Sequence, residues 1–192
     1  MQRGHSPLNR GFSLIELLVA VLVIVMLTTV VGLNVGGGGR AIELDDEVRH
    51  MAALLGYVQS EAEMSGADHG LYLERSEDFD GTRYQGHWLR LYDQGWAEPR
   101  GSSDVLEPVT FAEGIEIALA LVGDPEVEIT DRDPELKPAP QIVLFASGEA
   151  IEGELDWLDA RSGELLFRLR WDLLGRTTLM PRGEEIDEDA LR

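Results

Sequence analysis

The sequence predicts an α+β protein in which one long N-terminal helix precedes an antiparallel β-domain. Three observations support this prediction. No charged residue lies between Glu16 and Arg40. Residues 44–62 place apolar side chains at helical spacing, and from residue 70 onward the apolar period changes to two. The chain therefore combines an apolar helical segment, an amphipathic helix and a set of strands, in that order.

The apolar segment is long enough to cross a bilayer. Residues 17–33 contain no charge, and a spanning helix needs about 20 apolar residues. A cleavable secretory signal would have a shorter apolar core followed by an Ala-x-Ala pattern, which residues 34–39 lack. Arg3 and Arg10 precede the segment, so we expect a cytoplasmic N-terminus and an external C-terminal domain.

Glu16 interrupts the apolar run near its start. A carboxylate within a bilayer costs a few kcal/mol. Two interpretations remain open at this point. Glu16 either lies at the level of the lipid headgroups without a partner, or it is retained for a specific cation inside an assembly.

Composition excludes several classes of function. The chain of 192 residues has no cysteine, so it has neither disulfides nor thiolate metal sites. Its net charge is −20, and residues 41–192 hold 13 basic and 35 acidic residues. Such a domain repels phosphate backbones and anionic lipid, so we expect no nucleic-acid partner.

An amphipathic helix is predicted up to Gly66, which ends it. Its apolar stripe predicts packing on a sheet rather than a coiled coil, because the heptads are too few. Residues 36–39 before it are four glycines, each costing about 1 kcal/mol of helix stability relative to alanine. Both a helix break and a flexible joint remain open there. The stripe consists of Leu44, Val48, Met51, Leu55, Val58 and Ala62.

Three segments alternate apolar and polar residues as half-buried antiparallel strands do, namely 115–122, 151–157 and 164–171. Residues 141–146 are apolar throughout and predict a central strand. The apolar faces consist of Ile115, Ile117, Leu119 and Leu121; of Ile151, Leu155 and Trp157; and of Leu165, Phe167, Leu169 and Trp171.

The remaining segments predict turns and loops. Residues 98–108 and the Asp- and Pro-rich 123–140 are predicted loops, and the acidic tail 183–192 is predicted to be disordered. Turn signals separate the strands at Asp80-Gly81, Asp93-Gln94-Gly95, Ser147-Gly148, Ser162-Gly163 and Gly175.

No motif predicts catalysis, a cofactor or a metal site. The only lysine is Lys137 and no Walker loop occurs; no Gly-x-Ser-x-Gly occurs either. Asp124, Asp131 and Asp133 lack calcium-loop spacing, so a solvated loop is favoured. The four histidines lack His-Glu-x-x-His spacing and are interpreted as surface or packing residues; they are His5, His50, His69 and His87.

Residues 10–18, RGFSLIELL, resemble the processing site of type IV pilins and pseudopilins. The resemblance covers 11–33 and implies that a prepilin peptidase cleaves between Gly11 and Phe12 and methylates the new N-terminus of Phe12. It also implies that Glu16 is the glutamate found at the fifth mature position of the family. This glutamate would neutralise the Phe12 amino group of a neighbouring subunit in an apolar filament core. One departure is that the apolar helix contains no proline.

The domain organisation follows from this resemblance and the patterns above. Residues 1–11 are the expected leader peptide and 12–35 the transmembrane and assembly helix. Residues 36–65 form the glycine-rich joint and the amphipathic helix. The periplasmic antiparallel β-domain is expected over 66–182, and the acidic tail follows it.

The globular part resembles H-type minor pseudopilins of the type II secretion system in residues 46–65, 93–96 and 140–149. This resemblance implies a non-enzymatic subunit at or near the tip of a periplasmic pseudopilus that exports folded proteins. Its implied partners are the other minor pseudopilins, the major pseudopilin, the prepilin peptidase, the inner-membrane assembly platform and the inner membrane itself.

Three other functions remain open from sequence. A minor pilin of a type IV pilus would use the same processing and assembly. A membrane-anchored periplasmic binding domain, or an anchored enzyme, would never assemble. Dependence on a prepilin peptidase separates the first of these from the other two.

Overall fold

The computed structural model describes residues 14–79, 81–100, 104–131 and 138–185. The described residues up to Glu43 and those from Leu44 onward form two compact units. The described elements are α1 Leu14–Ser65, β1 His69–Asp78, β2 Gly81–Tyr92, β3 Gly95–Ala97, a 3-10 turn Asp104–Leu106, β4 Val109–Thr110, β5 Ile115–Leu121, β6 Asp124–Val127, β7 Ile142–Leu144, β8 Gly153–Asp159, β9 Leu165–Trp171 and β10 Thr177–Pro181.

The C-terminal part of α1 is the predicted amphipathic helix. All six residues of the predicted stripe are at most 4% exposed. The helix ends at Ser65, and Gly66 follows with φ 64°, donating its N–H to the carbonyl of Ala62 at 3.0 Å. This is the left-handed cap that glycine adopts without a Cβ clash. The glycines at 36–39 lie within α1, which continues through them.

The first sheet, sheet A, has the strand order β3-β2-β1-β7, with β4 paired to β2. Strands β1 and β2 form an antiparallel hairpin that pairs His69 with Arg90 at one end and Asp78 with Gly81 at the other. Gly81 has φ 124°, as the predicted turn there requires. Strand β3 follows the predicted turn at Gly95 and returns along β2.

The prediction of a central strand over residues 141–146 is wrong, because β7 is three residues long and lies at an edge of sheet A. The ladder with β1 stops at Ile142 because the side chain of Gln141 replaces a strand partner. Its amide accepts from the N–H of Leu73 at 2.8 Å and donates to the carbonyl of Leu73 at 2.8 Å. Burial of Ile142 and Leu144, not a central position, explains the apolar run.

The second sheet, sheet B, has the strand order β10-β9-β8-β5-β6 and is antiparallel throughout. The predicted alternation is confirmed in β5, where Ile115, Ile117 and Leu119 are buried. It is confirmed in β9 at Leu169 and Trp171. Two expectations are wrong. Ile151 is exposed and precedes β8, and β6 lies inside the loop predicted over 123–140.

Gly153 is the inward-facing residue with which β8 begins, two residues later than the alternation predicted. A Cβ on Gly153 would lie 2.6 Å from Cδ2 of Leu121 and 2.6 Å from Cζ2 of Trp171. Real Cβ atoms do not approach other atoms so closely, so the inward position before Leu155 is filled by neighbouring side chains.

One apolar core joins the C-terminal part of α1 to both sheets. The core supports the charge ladder and the depression described below, because the strands that carry them bury their opposite face in it. Its members include Val48, Met51, Leu55 and Val58 from α1; Leu71, Leu73, Trp88 and Ile142 from sheet A; and Ile117, Leu155, Trp157 and Leu169 from sheet B.

Candidate assembly site

The predicted processing residues Gly11 and Phe12 lie outside the described residues. Glu16 belongs to the first turn of α1, so its backbone is helical. Among the described residues, no helical segment meets the combination of length and hydropathy that a bilayer span requires.

Apart from Glu16, the start of α1 is apolar on all of its sides. Consecutive helical residues lie 100° apart, so Leu14, Ile15, Leu17 and Leu18 point in different directions. Their exposed fractions are 81%, 71%, 60% and 61%. An amphipathic helix would bury one side and expose polar residues on the other. This segment therefore offers an all-round apolar surface that suits lipid or the helices of other subunits.

Glu47 joins α1 to the β-domain. Its Oε1 accepts from the indole Nε1 of Trp157 at 2.8 Å, and its Oε2 accepts from the N–H of Ala112 at 2.9 Å. Burial raises the pKa of Glu47, and the two hydrogen bonds oppose that rise. Sequence analysis did not find this contact. Glu47 lies three residues after Leu44 and four before Met51, which places it on the apolar stripe. A carboxylate at this position of the stripe is the sequence signal that could have revealed the contact.

A second polar contact joins α1 to the turns of the β-domain. The buried Gln59 donates from Nε2 to the carbonyl of Phe145 at 3.3 Å. The turn between β9 and β10 packs on the same side chain, because a Cβ on Gly175 would lie 3.1 Å from Oε1 of Gln59. The position of this turn is thus fixed against the helix.

The outer face of sheet B carries a ladder of paired charges across β8 and β9. Arg168 donates to both carboxylate oxygens of Asp156 at 2.7 and 2.6 Å, and it also contacts Glu154 at 3.0 Å. Arg170 donates to Glu154 at 2.8 Å. These arginines lie on the face of the sheet opposite the buried Trp171. Because the four charges neutralise one another, this face is not a free anion or cation site.

The outer face of sheet A has a shallow depression of about 400 Å³ lined by Tyr72, His87, Leu89 and Trp96, among others. Nε2 of His87 lies 3.1 Å from a carboxylate oxygen of Glu74. The lining contains no serine, threonine or cysteine that this histidine could activate as a nucleophile. The depression therefore lacks the arrangement of a nucleophilic active site.

The other two histidines among the described residues, His50 and His69, are a surface residue and a buried packing residue. His69 is 1% exposed, and its Nδ1 lies 2.8 Å from the carbonyl of Ala67, which assigns the proton to that nitrogen. Burial lowers the pKa of His69, so the ring is neutral at pH 7. His50 is exposed on α1.

Within the described ranges, no group of three or more histidine, aspartate or glutamate residues is arranged to hold a metal ion. Asp124 begins β6 and Asp131 lies 3.7 Å from the guanidinium of Arg75, whereas Asp133 is outside the described residues. The two described aspartates thus belong to a strand and an ion pair.

Comparison with known proteins agrees with this architecture. Residues 7–32 match the family model of the prokaryotic N-terminal methylation motif. The fold is similar to the minor pseudopilin EpsH of the type 2 secretion system of Vibrio cholerae in two structures, with TM-scores of 0.57 and 0.53 at 21% identity. These matches cover 73% and 74% of this chain and 97% and 99% of the EpsH chains.

A solution structure of E. coli GspH matches with a TM-score of 0.51 at 16% identity, covering 74% of this chain and 91% of that one. The fold and the N-terminal motif thus define a pilin-like protein of the pseudopilin class. In sequence, the chain is 31% identical over 145 residues to type II secretion system protein H of Pseudomonas aeruginosa, covering 73% of this chain and 78% of that protein. The chain belongs to the family of type II secretion system protein H.

Proposed function

We propose that the mature protein is a structural subunit that joins a periplasmic pseudopilus at or near its tip and helps to move folded proteins across the outer membrane. Membership in the protein H family supports this role. The observation that carries it is the exposed apolar start of α1, which lies within the residues that match the methylation motif. A helix of this kind needs a bilayer before assembly and neighbouring helices after it.

Processing prepares the chain for assembly. A prepilin peptidase removes residues 1–11 by cutting between Gly11 and Phe12, and Phe12 is then N-methylated. Before assembly the chain crosses the inner membrane once, with its N-terminus in the cytoplasm and its domain in the periplasm. The charges of Arg3 and Arg10 ahead of the apolar segment support this orientation.

Assembly then requires a partner for each buried charge. Cleavage frees the α-amino group of Phe12, a cation, and Glu16 of the adjacent subunit neutralises it. An ion pair in apolar surroundings contributes little net stability, but a single unpaired charge there is costly. The pair therefore sets the register between neighbouring subunits. The partners are the major pseudopilin and the other minor pseudopilins, held by the inner-membrane assembly platform.

A mechanical role accounts for the surfaces of the β-domain better than catalysis does. The charge ladder on sheet B is internally neutralised, and the His87–Glu74 pair on sheet A lacks a nucleophile in its depression. These surfaces fit a domain that contacts other proteins. We infer no cofactor and no chemical step.

Mass spectrometry of the mature N-terminus tests this proposal. We expect a chain that begins at Phe12 with one added methyl group. Gly11→Val should leave the full-length precursor in the membrane, because a branched side chain obstructs the cleavage site. Gly4→Val, a matched change within the leader, should be processed normally. Recovery of an unmethylated chain that begins near Gly36 would indicate ordinary signal-peptide cleavage and would overturn the proposal.

A further inference from the structure

Three turns of the β-domain meet at one end of sheet B. The N–H of Ala150 donates to the carbonyl of Leu173 at 2.8 Å, which joins the segment before β8 to the turn between β9 and β10. The N–H of Val122 donates to the carbonyl of Glu152 at 2.9 Å, which joins the turn between β5 and β6 to the same segment. These backbone hydrogen bonds hold the three turns side by side.

The three turns display aliphatic side chains to solvent. We call Val122, Ile151, Leu173 and Leu174 the leucine-turn surface. Their exposed fractions are 70%, 36%, 50% and 54%. Single exposed aliphatic residues are common on soluble proteins, but a group of four on adjacent turns is typical of an interaction surface. Leu173 and Leu174 are both at least half exposed, so neither belongs to the core.

The turn that carries the leucines is rigid. The carboxylate of Asp172 accepts from the N–H groups of Leu174 and Arg176 at 3.0 Å each and from Nε of Arg176 at 2.8 Å. The hydrogen bonds to Arg176 and Leu174 lower the pKa of Asp172, so the carboxylate stays ionised at neutral pH. Gly175 packs on Gln59 of α1 at the other side of the turn. A partner would therefore find the leucines already in place and lose little entropy in binding them.

A depression beside Val122 adds a position for an anchoring side chain. It has a volume of about 260 Å³ and is lined by Leu121, Pro125 and Trp171, among others. The one basic residue in its lining, Arg170, is bound to Glu154. Apolar walls next to exposed aliphatic residues are the usual arrangement for a residue that contributes much of the binding energy.

Acidic residues surround the leucine-turn surface. Glu149, Glu152 and Asp124 are exposed on the three turns, and among the described residues no basic group lies within 4 Å of their carboxylates. A second copy of this acidic domain, or an anionic bilayer, would bring like charges together. A partner that combines aliphatic residues with lysine or arginine matches both the apolar and the charged parts of the surface.

We propose that the leucine-turn surface binds the globular domain of a different pilin-like subunit of the same fibre, through aliphatic residues surrounded by basic ones. This inference rests on the proposed function, because it assigns one of the subunit contacts that a fibre requires. The leucines supply most of the contact, and the acids select the partner and speed its association.

The test uses the full-length chain in cells that contain the complete secretion system. A photoreactive benzoylphenylalanine replaces Val122, and a second version carries it at Val105, which is 45% exposed on the 3-10 turn. We expect cross-linking of position 122 to a peptide of another pseudopilin that contains lysine or arginine. L173S/L174S should lower the yield at least tenfold, and E149K/E152K should lower it several-fold. Position 105 should not form this product.

Matched variants separate loss of this contact from the loss of any exposed apolar residue and from misfolding. Met64→Gln removes an apolar residue that is 83% exposed on α1 and should leave the yield unchanged. Replacing the cross-linked basic residues of the partner by glutamate should restore binding to E149K/E152K. Restoration by reversed charge cannot arise from misfolding of either variant.

Several outcomes would overturn the inference. These are a wild-type yield in both the leucine and the lysine variants, cross-linking of position 122 to lipid, and cross-linking to a second copy of this chain. Co-purification of wild-type chain with the other pseudopilins is measured in parallel. If the wild type does not co-purify with them, the proposed function fails as well. If it does and the leucine variant is indistinguishable from it, only the assignment of this surface fails.

Discussion

The two parts of α1 differ in how their apolar residues are arranged and covered. Apart from Glu16, residues 14–22 are apolar on every side, and the apolar residues whose side chains are described are 49–81% exposed. Residues 44–62 are apolar along one stripe, whose members are at most 4% exposed. Both parts belong to one helix, yet among their described side chains buried ones occur only in the second part.

The difference shows which contacts folding provides and which are left to assembly. A stripe of period 3.6 matches one packing surface, and the two sheets supply it. An all-round apolar helix matches a surrounding medium, either lipid or a bundle of similar helices. Damage to the stripe should therefore unfold the domain, whereas damage near the start of α1 should leave the domain folded and stop assembly.

The largest expected effect is at Glu16. Glu16→Ala should be cleaved, methylated and inserted as the wild type is, but it should not join the fibre. Loss of one member of a buried ion pair costs about 3–5 kcal/mol, which is enough to abolish a weak subunit contact. Co-purification with the other pseudopilins, together with a secretion assay, measures this.

Glu43→Ala is the control for that prediction, since Glu43 is an exposed acid on the same helix. It should assemble normally. Full wild-type assembly by Glu16→Ala would show that Glu16 lies at the headgroup level without a partner.

The second prediction compares two methionines of α1 by the same substitution. Met51 is 0% exposed and Met64 is 83% exposed. Met51→Ala should lower the free energy of unfolding by about 2–5 kcal/mol, because it leaves a cavity between the helix and both sheets. Met64→Ala should change it by less than about 0.5 kcal/mol. Urea unfolding of the domain from residue 40 onward measures both, and equal effects would contradict the assigned burial.

The third prediction concerns the polar contact of the helix with sheet B. Glu47→Ala should cost about 1–3 kcal/mol, because it leaves the indole N–H of Trp157 and the N–H of Ala112 without an acceptor. The variant should remain folded and membrane-inserted. The measurement is urea unfolding followed by tryptophan fluorescence, and an unchanged midpoint would show that water replaces the carboxylate.

The smallest expected effect is the pH dependence of that contact. Burial raises the pKa of Glu47 above its usual value of 4.5, so the folded state binds its proton more tightly than the unfolded state does. The contribution of Glu47 is therefore most favourable at or below pH 4.5 and is lost as the pH rises through the folded-state pKa.

Glu47→Gln has no proton to bind at this position, so it isolates the effect. The free energy of unfolding of the wild type relative to Glu47→Gln should increase as the pH falls from 7 toward 4.5. A constant difference over this range, or one that changes in the opposite direction, would contradict the raised pKa.

The sequence could predict those parts of the fold that depend on local pattern. The stripe from Leu44 to Ala62, the end of the helix at Gly66 and the strand faces of β5 follow from periodicity and from the conformational freedom of glycine. The class of the protein followed from the residues around Gly11 and Glu16. The processing itself stays a prediction, because those side chains lie outside the described ones.

The errors arose where distant residues determine the local structure. Residues 141–146 have the apolar pattern of a central strand, but the side-chain amide of Gln141 ends the ladder at an edge. Leu121 and Trp171 fill the space at Gly153, where β8 begins, rather than at Ile151 as the alternation suggested. The hydrogen bonds of Glu47 and the proximity of the three turns likewise depend on contacts between residues far apart in sequence.

The edge of β1 that does not pair with β2 illustrates how a subunit that must polymerise avoids aggregation. Exposed strand edges can pair with any other edge, which leads to uncontrolled association. Strand β7 covers β1 up to Leu71, the amide of Gln141 occupies both backbone groups of Leu73, and the carbonyl of Thr130 accepts from the N–H of Arg75 at 3.2 Å. Two segments, residues 141–144 and Thr130, thus shield successive positions of one edge. Under the proposed function, unassembled subunits can then remain in the membrane without pairing through this edge.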